Sequence, residues 1–244
     1  MTAKRTRALV TGASSGIGRA AAVALAASGR QVLAVGRRRA ALLPLAEETG
    51  CQIAVADICD RAAMAVVLDG FAPDILVNNA GVGHGISGLD TVTAAQIESA
   101  VATNVTATLN LTAAALPAMR RAGRGHIVTI GSIAGLHTNI SAVYGATKAA
   151  LHRFSQNLRY ELLGSGVRVT EICPGRVSTE FYQAAEGDPD RIAALGQSGI
   201  RELDPADIAA ALLYAVDAPE HVNVATIEIL PTAQAVGGVA TARS

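Results

Sequence analysis

Short apolar runs alternate along the chain with longer segments of helical periodicity. Seven of the apolar runs are rich in Val, Ile and Ala and have the length of buried strands. The predicted strands are residues 8–10, 31–35, 52–55, 75–77, 127–130, 167–172 and 225–230. The predicted helices between them are residues 16–28, 38–49, 60–68, 94–121, 143–163 and 205–216.

This alternation predicts an α/β protein with a mostly parallel sheet. Right-handed crossovers between parallel strands place helices on both faces of such a sheet. No repeat, low-complexity tract or linker interrupts residues 1–244, so the sequence indicates a single domain. Segment 183–204 contains several Gly and Pro residues, which favour a loop.

Composition and charge narrow the class of protein. Half of the 244 residues are hydrophobic, which is enough for one large core. The 20 basic and 20 acidic residues cancel, whereas a nucleic-acid-binding protein usually has a basic excess. The longest strongly apolar run, residues 20–27, is too short to cross a bilayer. The basic start of the chain precedes an apolar run that breaks at Gly12, so we expect no signal peptide and a soluble cytoplasmic protein.

The chain has three cysteines, Cys51, Cys59 and Cys173, without the paired spacing of a disulfide framework or a zinc site. We interpret them as free core thiols. Since His, Cys and acidic residues form no cluster along the sequence, no metal site is expected.

A glycine-rich turn, Thr-Gly-Ala-Ser-Ser-Gly-Ile-Gly, occupies residues 11–18 directly after the first strand and opens an Ala-rich helix. Glycines permit a tight turn and a close approach of the backbone to a pyrophosphate, and the helix N-terminus attracts the anion. A plain strand-to-helix turn is the alternative. The position between a strand and a helix favours a dinucleotide site.

The second strand ends at Gly36-Arg37-Arg38-Arg39. An NAD-binding protein normally has an acidic residue here for the ribose 2′-hydroxyl, but guanidinium groups bind a 2′-phosphate. Cations are disfavoured at a helix N-terminus unless an anion accompanies them. The sequence therefore favours NADP(H) over NAD(H), with Arg37 and Arg38 as contacts; a solvated basic helix start is the alternative.

Tyr144 and Lys148 lie four residues apart in a predicted helix, so their side chains share one face. Carbonyl reduction needs a proton donor, and a neighbouring ammonium favours the phenolate and brings Tyr144 closer to the useful pKa range. Ser132 follows the fifth strand and can present its hydroxyl to a substrate oxygen. Each residue alone has an ordinary structural explanation, but their order behind a glycine-rich turn favours catalysis.

These motifs resemble the short-chain dehydrogenase/reductase superfamily over nearly the whole chain. The C-terminal third, from His221 to Gln234, resembles the bacterial NADP-dependent 3-hydroxy acid dehydrogenases that act on serine and allo-threonine. The resemblance implies a Rossmann-type doubly wound sheet of about seven strands. It also implies a catalytic tetrad of Asn104, Ser132, Tyr144 and Lys148, in which Tyr144 is the acid/base and Ser132 stabilises the substrate oxygen.

Further motifs carry cofactor roles only through this resemblance. Asp57-Ile58 matches the adenine cap, Asn78-Asn79-Ala80-Gly81 the element beside the cofactor, and residues 174–179 the nicotinamide-binding segment. An N-cap, a turn and a Pro-Gly turn are their respective alternatives. The implied cofactor-binding residues are Gly12, Ser14, Ser15, Gly16, Ile17, Gly18, Arg37, Arg38, Asp57, Ile58, Asn79, Ala80, Gly81, Tyr144, Lys148, Pro174, Gly175, Val177 and Thr179.

The substrate is the open question. The resemblance favours a 3-hydroxy acid, although reductases of sulfo-aldehydes and other small carbonyl compounds share these motifs. A carboxylate substrate requires a cation, for which Arg176 is the best-placed candidate, with Arg191 and Arg201 on an expected lid at 176–204. His84 and His137 are expected on loops facing the same mouth. A non-catalytic NADP-binding sensor is a further alternative, disfavoured by the complete tetrad.

The loop between Ser132 and Tyr144, residues 133–143, is one residue shorter than is usual in the family. We expect the change to alter the substrate pocket. Members of the family are commonly tetrameric and pair helices equivalent to 94–121 and 143–163. Leu111, Ala113 and Ala114 are expected on the outer face of the first of these helices. A homo-oligomer, dimer or tetramer, is therefore expected.

Overall fold

The computed structural model describes residues 6–84, 86, 88–138, 141–185, 189–190, 192 and 198–235. The strands are β1 (Arg7–Thr11), β2 (Gln31–Gly36), β3 (Gln52–Val55), β4 (Ile75–Asn78), β5 (Gly125–Ile130), β6 (Val167–Pro174) and β7 (Thr226–Ile229). The α-helices are α1 (Gly16–Ala27), α2 (Arg39–Thr49), α3 (Arg61–Phe71), α4 (Ala94–Ala100), α5 (Thr108–Ala122), α6 (Ile133–Leu136), α7 (Ala142–Glu161), α8 (Phe181–Ala185) and α9 (Pro205–Asp217). A π-helical segment, Val101–Ala107, joins α4 to α5.

All seven strands run parallel in one sheet with the order β3-β2-β1-β4-β5-β6-β7. The order reverses between β1 and β4, where Leu9 pairs with Leu33 on one side and with Leu76 on the other. In open parallel sheets a crevice forms at this reversal, at the carboxyl ends of the strands. The predicted fold class and parallel sheet are confirmed.

Helices cover both faces of the sheet because neighbouring residues on a strand point to opposite faces. Val10 packs into a cluster with Leu25 of α1 and Leu212 of α9. Its neighbour Leu9 packs into a second cluster with helices α3, α5 and α7, which includes Leu158. Fully burying a side chain of this size contributes about 1.5–3 kcal/mol, so the two clusters hold the helices on the sheet.

Local signals explain several helix ends. Asp60 caps α3 by accepting a hydrogen bond from the Ala63 backbone at 3.0 Å. Asp204 forms a capping box with Asp207 at the start of α9, where Pro205 fits the first turn. Gly123 ends α5 with a left-handed backbone, at φ 62°.

Three expectations from the sequence need correction. The continuous helix predicted over 94–121 is two α-helices with a π-helical segment between them, a feature that periodicity alone does not distinguish. Leu111 faces the core, where it is 4% exposed, whereas Ala113 and Ala114 are exposed as expected. The short helix α6 lies within the loop predicted between Ser132 and Tyr144.

The expected lid region, 176–204, is only partly described: residues 186–188, 191 and 193–197, including Arg191, lie outside the described residues. Its described part includes α8, and Val177 forms a parallel bridge with Leu203. Within the described ranges, no helix combines the length and apolarity needed to span a membrane.

Candidate active site

The glycine-rich turn after β1 is fixed by its own backbone and by the end of β4. Gly12 and Gly16 have left-handed backbones, at φ 65° and 51°. A Cβ on Gly18 would lie 2.3 Å from the Gly12 carbonyl oxygen and 2.4 Å from Asn79 Nδ2. Asn79 Nδ2 donates to the Thr11 carbonyl at 2.9 Å and to the Gly12 carbonyl at 3.3 Å. Side chains larger than glycine would therefore push the turn away from β4.

Helix α1 begins at this turn and has the features of an anion site. Its N-cap Ser15 is extended, at φ −165° and ψ 173°, and makes no side-chain capping bond. The first-turn N–H groups of a helix lack intrahelical partners and can bind a pyrophosphate. Ser14, Gly16 and Ile17 line the cleft beside them. The residues present thus fit the phosphates of a dinucleotide.

Arg37 and Arg38 extend this end of the cleft. Arg38 Nε donates to Ser14 Oγ at 3.3 Å, and Arg38 Nη1 lies 3.6 Å from Glu180. Arg37 Nη1 lies 3.8 Å from Asp57. Both guanidinium groups are largely exposed, so these ion pairs are weak and leave the arginines able to bind an anion. This part of the cleft, residues 12–17 with Arg37 and Arg38, is called the cofactor end.

The cleft lies at the carboxyl ends of the strands and encloses about 590 Å³, a volume typical of small-molecule sites. Most residues predicted to act in binding or catalysis line it. They are Gly12, Ser14, Ser15, Gly16, Ile17, Arg37, Arg38, Asp57, Ile58, Asn79, Ala80, Gly81, Ser132, Tyr144, Lys148, Pro174, Gly175, Val177 and Thr179. Gly18 and Asn104 do not line it; they lie directly behind its wall.

Ser132, Tyr144 and Lys148 meet where β5 ends and α7 begins. Ser132 is the N-cap of α6, and its Oγ accepts a hydrogen bond from the Ala134 backbone at 3.1 Å. Lys148 Nζ lies 5.7 Å from the centroid of the Tyr144 ring and donates to the Ile130 carbonyl at 2.8 Å. The side chain of Lys148 is held against β5 and is only 6% exposed as a residue.

The pKa of Tyr144 shifts in the direction opposite to the expectation that Lys148 brings it closer to the useful range. Burial raises the pKa of Tyr144 above its usual range, and a hydrogen bond with Ser132 only partly opposes the rise. Burial also lowers the pKa of Lys148 to about 8, against the opposing effects of Cys173 and Glu171. The reason is geometric: Lys148 Nζ is directed at a carbonyl of β5, while the phenol is enclosed by protein. Tyr144 is therefore a protonated acid at neutral pH.

Asn104 is fully buried in the π-helical segment. Its Oδ1 accepts from the Val82 backbone at 2.7 Å, and its Nδ2 donates to the Val82 carbonyl at 2.9 Å and to Thr147 Oγ1 at 3.0 Å. The side chain thus joins the loop after β4 to the residue next to Lys148. π-Helical turns are frequent at functional sites.

The opposite end of the cleft is built from larger side chains and is called the substrate end: Arg176, Phe181, Tyr182 and Gln234. The Phe181 ring lies 5.3 Å from the Tyr144 ring and 5.6 Å from the Tyr182 ring. Gln234 Oε1 accepts from the Arg176 backbone at 2.9 Å, so the C-terminal region closes this end.

Arg176 reaches the cleft as expected but is not a free cation. Its Nε donates to Glu202 at 2.9 Å, and the guanidinium lies over the Tyr182 ring at 4.9 Å. The two charged side chains are only 10% and 15% exposed, so Glu202 offsets much of the charge. Arg201 is exposed and does not line the cleft.

The two histidines expected at the mouth differ. His84 lines the cleft, and its buried Nδ1 has no hydrogen-bond partner among the described residues. The expectation for His137 is wrong: it contacts Glu228 of β7 at 2.8 Å, outside the lining. Sequence reasoning missed other lining residues, many of them next to the motifs. They are Gly36, Ala56, Val82, Gly83, Ile86, Ser99, Thr103, Ile130, Gly131, Ile133, Ala134, Glu180, Phe181, Tyr182, Ala184 and Gln234.

Two expectations about cysteines and clustering also need correction. Cys51 and Cys173 are buried free thiols, but Cys59 is exposed, because it follows the end of β3 in a turn. His152, Glu171 and Cys173 do cluster, with ligand atoms within 4.8 Å of one another. The sequence hides this cluster because His152 belongs to α7 and the other two to β6.

The fold and site define a hydride-transferring enzyme of the Rossmann type, and the chain belongs to the short-chain dehydrogenase family. Residues 6–190 match the sequence model of the short chain dehydrogenase family. The predicted superfamily is therefore confirmed.

The similarity to individual proteins extends over almost the entire chain. The chain is 37% identical to the NADP-dependent 3-hydroxy acid dehydrogenase YdfG of Salmonella typhi, covering 97% of this chain and 99% of YdfG. It is also 37% identical to sulfoacetaldehyde reductase 2 of Chromohalobacter salexigens, over 93% of this chain and 94% of that protein. The closed form of a serine dehydrogenase complexed with NADP⁺ superposes with a TM-score of 0.90 at 36% identity, covering 98% and 100% of the two chains.

Proposed function

We propose that the protein is an NADP(H)-dependent oxidoreductase that interconverts a small 3-hydroxy acid, such as serine or allo-threonine, and its carbonyl form. The observation that carries the proposal is the convergence of Ser132, Tyr144 and Lys148 in one cleft with the glycine-rich turn. The similarity to YdfG and to a serine dehydrogenase complexed with NADP⁺ supports both the cofactor and the substrate class.

The cofactor end would hold NADP(H). Backbone N–H groups at the start of α1 bind the pyrophosphate, Asp57 and Ile58 flank the adenine, and Arg37 and Arg38 bind the 2′-phosphate. Residues 174–179 would contact the nicotinamide, as the family resemblance implies. When bound, NADP(H) supplies the hydride for reduction, or its oxidised form accepts the hydride in oxidation.

Tyr144 moves the proton. In reduction, its phenolic proton passes to the substrate oxygen as the carbonyl carbon receives the hydride; in oxidation, the proton returns. Since burial holds the pKa of Tyr144 above its usual range, the resting side chain is in the acid form. Ser132 donates a hydrogen bond that stabilises the charge developing on that oxygen.

Lys148 and Asn104 support Tyr144. The Lys148 ammonium favours the phenolate left after proton transfer and holds the nicotinamide ribose. Asn104 positions the segment beside Thr147 and completes a water-linked proton relay to Lys148, as the family resemblance implies. Both residues therefore support proton transfer by Tyr144 and do not transfer the proton to the substrate themselves.

A specific observation favours a second candidate, the reduction of a small neutral carbonyl compound. Because Glu202 offsets much of the charge of Arg176, the substrate end attracts a carboxylate less strongly than an unpaired arginine would. A sulfo-aldehyde, suggested by the similarity to sulfoacetaldehyde reductase 2, would need the same cation as a 3-hydroxy acid. The two candidates share their chemistry and differ in substrate charge.

Several features remain predictions of this proposal. They are a cytoplasmic location, a homo-oligomer formed through the helices of 94–121 and 143–163, and a lid over 176–204 in a catalytic domain of residues 1–244. Exposed Ala113 and Ala114 allow a second chain to approach α5 closely.

The first experiment measures NADPH or NADH formation from NADP⁺ or NAD⁺ with serine, allo-threonine, 3-hydroxybutyrate, 3-hydroxypropionate and neutral secondary alcohols. We expect turnover of 3-hydroxy acids with NADP⁺. Turnover of neutral alcohols alone would replace the first candidate by the second. Preference for NAD⁺ would contradict the role of Arg37 and Arg38.

Replacing Tyr144 by Phe removes the proton donor and leaves the ring packed against Phe181. We expect kcat to fall by at least about a hundredfold, since general acid–base catalysis contributes ~10²–10⁴. NADPH binding, measured by fluorescence titration, should persist. Tyr160→Phe, in the same helix but 80% exposed, is the matched control. Retention of most activity by Tyr144→Phe would refute the assigned role.

A further inference from the structure

Glu171 is a fully buried carboxylate on the sheet face that α7 covers. It lies in the middle of β6, in register with Thr129 of β5 and Thr226 of β7, and has 0% exposure. A buried carboxylate requires a hydrogen bond and a nearby positive charge. The tetrad does not include this residue, and the proposed chemistry does not use it.

One oxygen of Glu171 is held by α7 and the other lies against the active-site strand. Oε2 is 2.6 Å from His152 Nδ1, and His152 Nε2 contacts Gln156 at 2.9 Å. Oε1 lies beside Gly131, where a Cβ would approach it to 2.4 Å. The carboxylate therefore packs against the backbone immediately before Ser132.

Lys148 lies against the same piece of backbone. Lys148 and His152 are one turn apart on α7, on the same face of the helix. Lys148 Nζ donates to the carbonyl of Ile130, the residue before Gly131, and Ile130 pairs with Ile172, the neighbour of Glu171. Burial lowers the pKa of Lys148, and Cys173 and, to a smaller extent, the charge of Glu171 oppose that lowering.

Other charged and titratable groups face this region. Arg159 of α7 interacts with Glu171, and the Cys173 thiol on β6 has its pKa raised by burial and by Glu171. Tyr144 lies on the α7 side. Glu228 of β7, in register with Cys173, is paired with His137. Glu171 is the one carboxylate among the groups that shift the Lys148 pKa within the described residues.

Within the cluster of His152, Glu171 and Cys173, the first two side chains are joined by a direct hydrogen bond. A separation of 2.6 Å between His152 Nδ1 and Glu171 Oε2 is that of a direct hydrogen bond. Glu171 Oε2 is thus engaged by His152, whereas the buried Oε1 has no hydrogen-bond partner among the described residues.

We propose that Glu171, fixed by the hydrogen bond with His152, is the buried counter-ion of Lys148 and a positioning residue of this active site. It keeps Lys148 as an ammonium, the form in which Lys148 favours the phenolate of Tyr144. The catalytic consequence rests on the proposed function, whereas the effect on Lys148 itself does not.

The chain allows a direct test, because it contains only two lysines, Lys4 and Lys148. NMR of protein carrying lysine isotope-labelled at Cε gives two signals, of which Lys4 is an internal reference. We expect Lys148 to titrate near pH 8 in the parent protein. In Glu171→Gln its pKa should fall by about one unit, the low end of the ~1–3 units produced by a nearby opposite charge, because the two side chains meet across the Ile130–Gly131 backbone and not in a direct ion pair.

Glu171→Asp keeps the negative charge but moves it away by the length of one methylene group. The pKa of Lys148 in this variant should therefore lie between the values in the parent and in Glu171→Gln. This variant also serves if Glu171→Gln does not fold, as judged by thermal melting. Glu228→Gln, which changes a neighbouring His–Glu pair, should leave Lys148 unchanged. An identical Lys148 titration in the parent, Glu171→Asp and any folded Glu171→Gln protein would overturn the proposal.

Activity provides the second readout. The alkaline limb of kcat should move down by about one pH unit in Glu171→Gln, making the variant about tenfold slower at pH 9 and close to the parent at pH 6. A uniform loss at all pH values would indicate a structural role and overturn the proposal. If the parent enzyme has no turnover but its Lys148 titration responds to Glu171→Gln, the proposed function fails and this inference stands.

Discussion

The cofactor end and the substrate end of the cleft are built from different materials. At the cofactor end the lining includes the glycine-rich turn and the first turn of α1, and Asn79 ties that turn to the end of β4. At the substrate end the surface is mostly side chains, from Arg176, Phe181 and Tyr182, on segments that follow β6. The cofactor end is joined directly to the core of the sheet. The substrate end is held by contacts between segments that follow the strands.

This difference explains how each end tolerates change. The shape of the glycine-rich turn depends on positions where only glycine fits. A side-chain surface changes with each substitution while the sheet below remains the same. We therefore expect lesions in the glycine-rich turn to reduce activity with every substrate, and lesions at the substrate end to alter substrate preference.

The largest expected effect is that of Gly18→Ala. The added Cβ would lie 2.3 Å from the Gly12 carbonyl oxygen, so either the turn or α1 must move. Overpacking of this kind costs about 1–3 kcal/mol of stability. Displacing the turn by even about 1 Å can reduce kcat/KM by on the order of a hundredfold. Thermal melting and kinetics with several substrates measure both effects.

Gly70→Ala is the matched control for this prediction. Gly70 lies in α3 with no atom within 4 Å of an added Cβ, and its replacement should stabilise the helix by about 0.5–1 kcal/mol. If Gly18→Ala retained parent-like activity, the backbone of the cofactor end would be more adaptable than we argue.

A smaller effect, confined to cofactor choice, is expected from the double variant Arg37→Ala, Arg38→Ala. A charged hydrogen bond to phosphate contributes about 2 kcal/mol, so kcat/KM for NADP⁺ should fall about thirtyfold or more. The value for NAD⁺ should change little. Arg39→Ala, one residue further and outside the cleft lining, is the control. Equal losses with both cofactors would show that the arginines support the fold instead.

The smallest effect is expected at the substrate end, from Glu202→Gln. Without the Glu202 charge, Arg176 presents more positive charge to the cleft, and KM for a 3-hydroxy acid should fall by up to about fivefold. KM for a neutral alcohol and for NADP⁺ should stay constant. Glu161→Gln, on the surface next to Arg120, is the control. A rise in KM for both substrate types would mean that the pair holds the pocket together.

The cofactor end and the substrate end also differ in how much of their structure can be predicted from the sequence. Strands, crossovers and the glycine-rich turn could be predicted because each follows from residues that are neighbours in sequence. The pairings of Arg176 with Glu202 and of His137 with Glu228 could not, because each joins segments that only the fold brings together. The direction of the Tyr144 pKa shift could not be predicted either, because the burial that raises this pKa is a result of the fold.

The π-helical segment Val101–Ala107 has a consequence for comparing related sequences. Each hydrogen-bonded ring of a π-helix contains one residue more than that of an α-helix, so removing one residue from such a segment can convert it to regular α-helix. Removing one codon there would restore the regular winding and turn Asn104 away from Val82 and Thr147. The contacts of Asn104 thus depend on the π-helical backbone as much as on the asparagine side chain. A sequence alignment that compares only residue types would not detect a relative in which these contacts are lost.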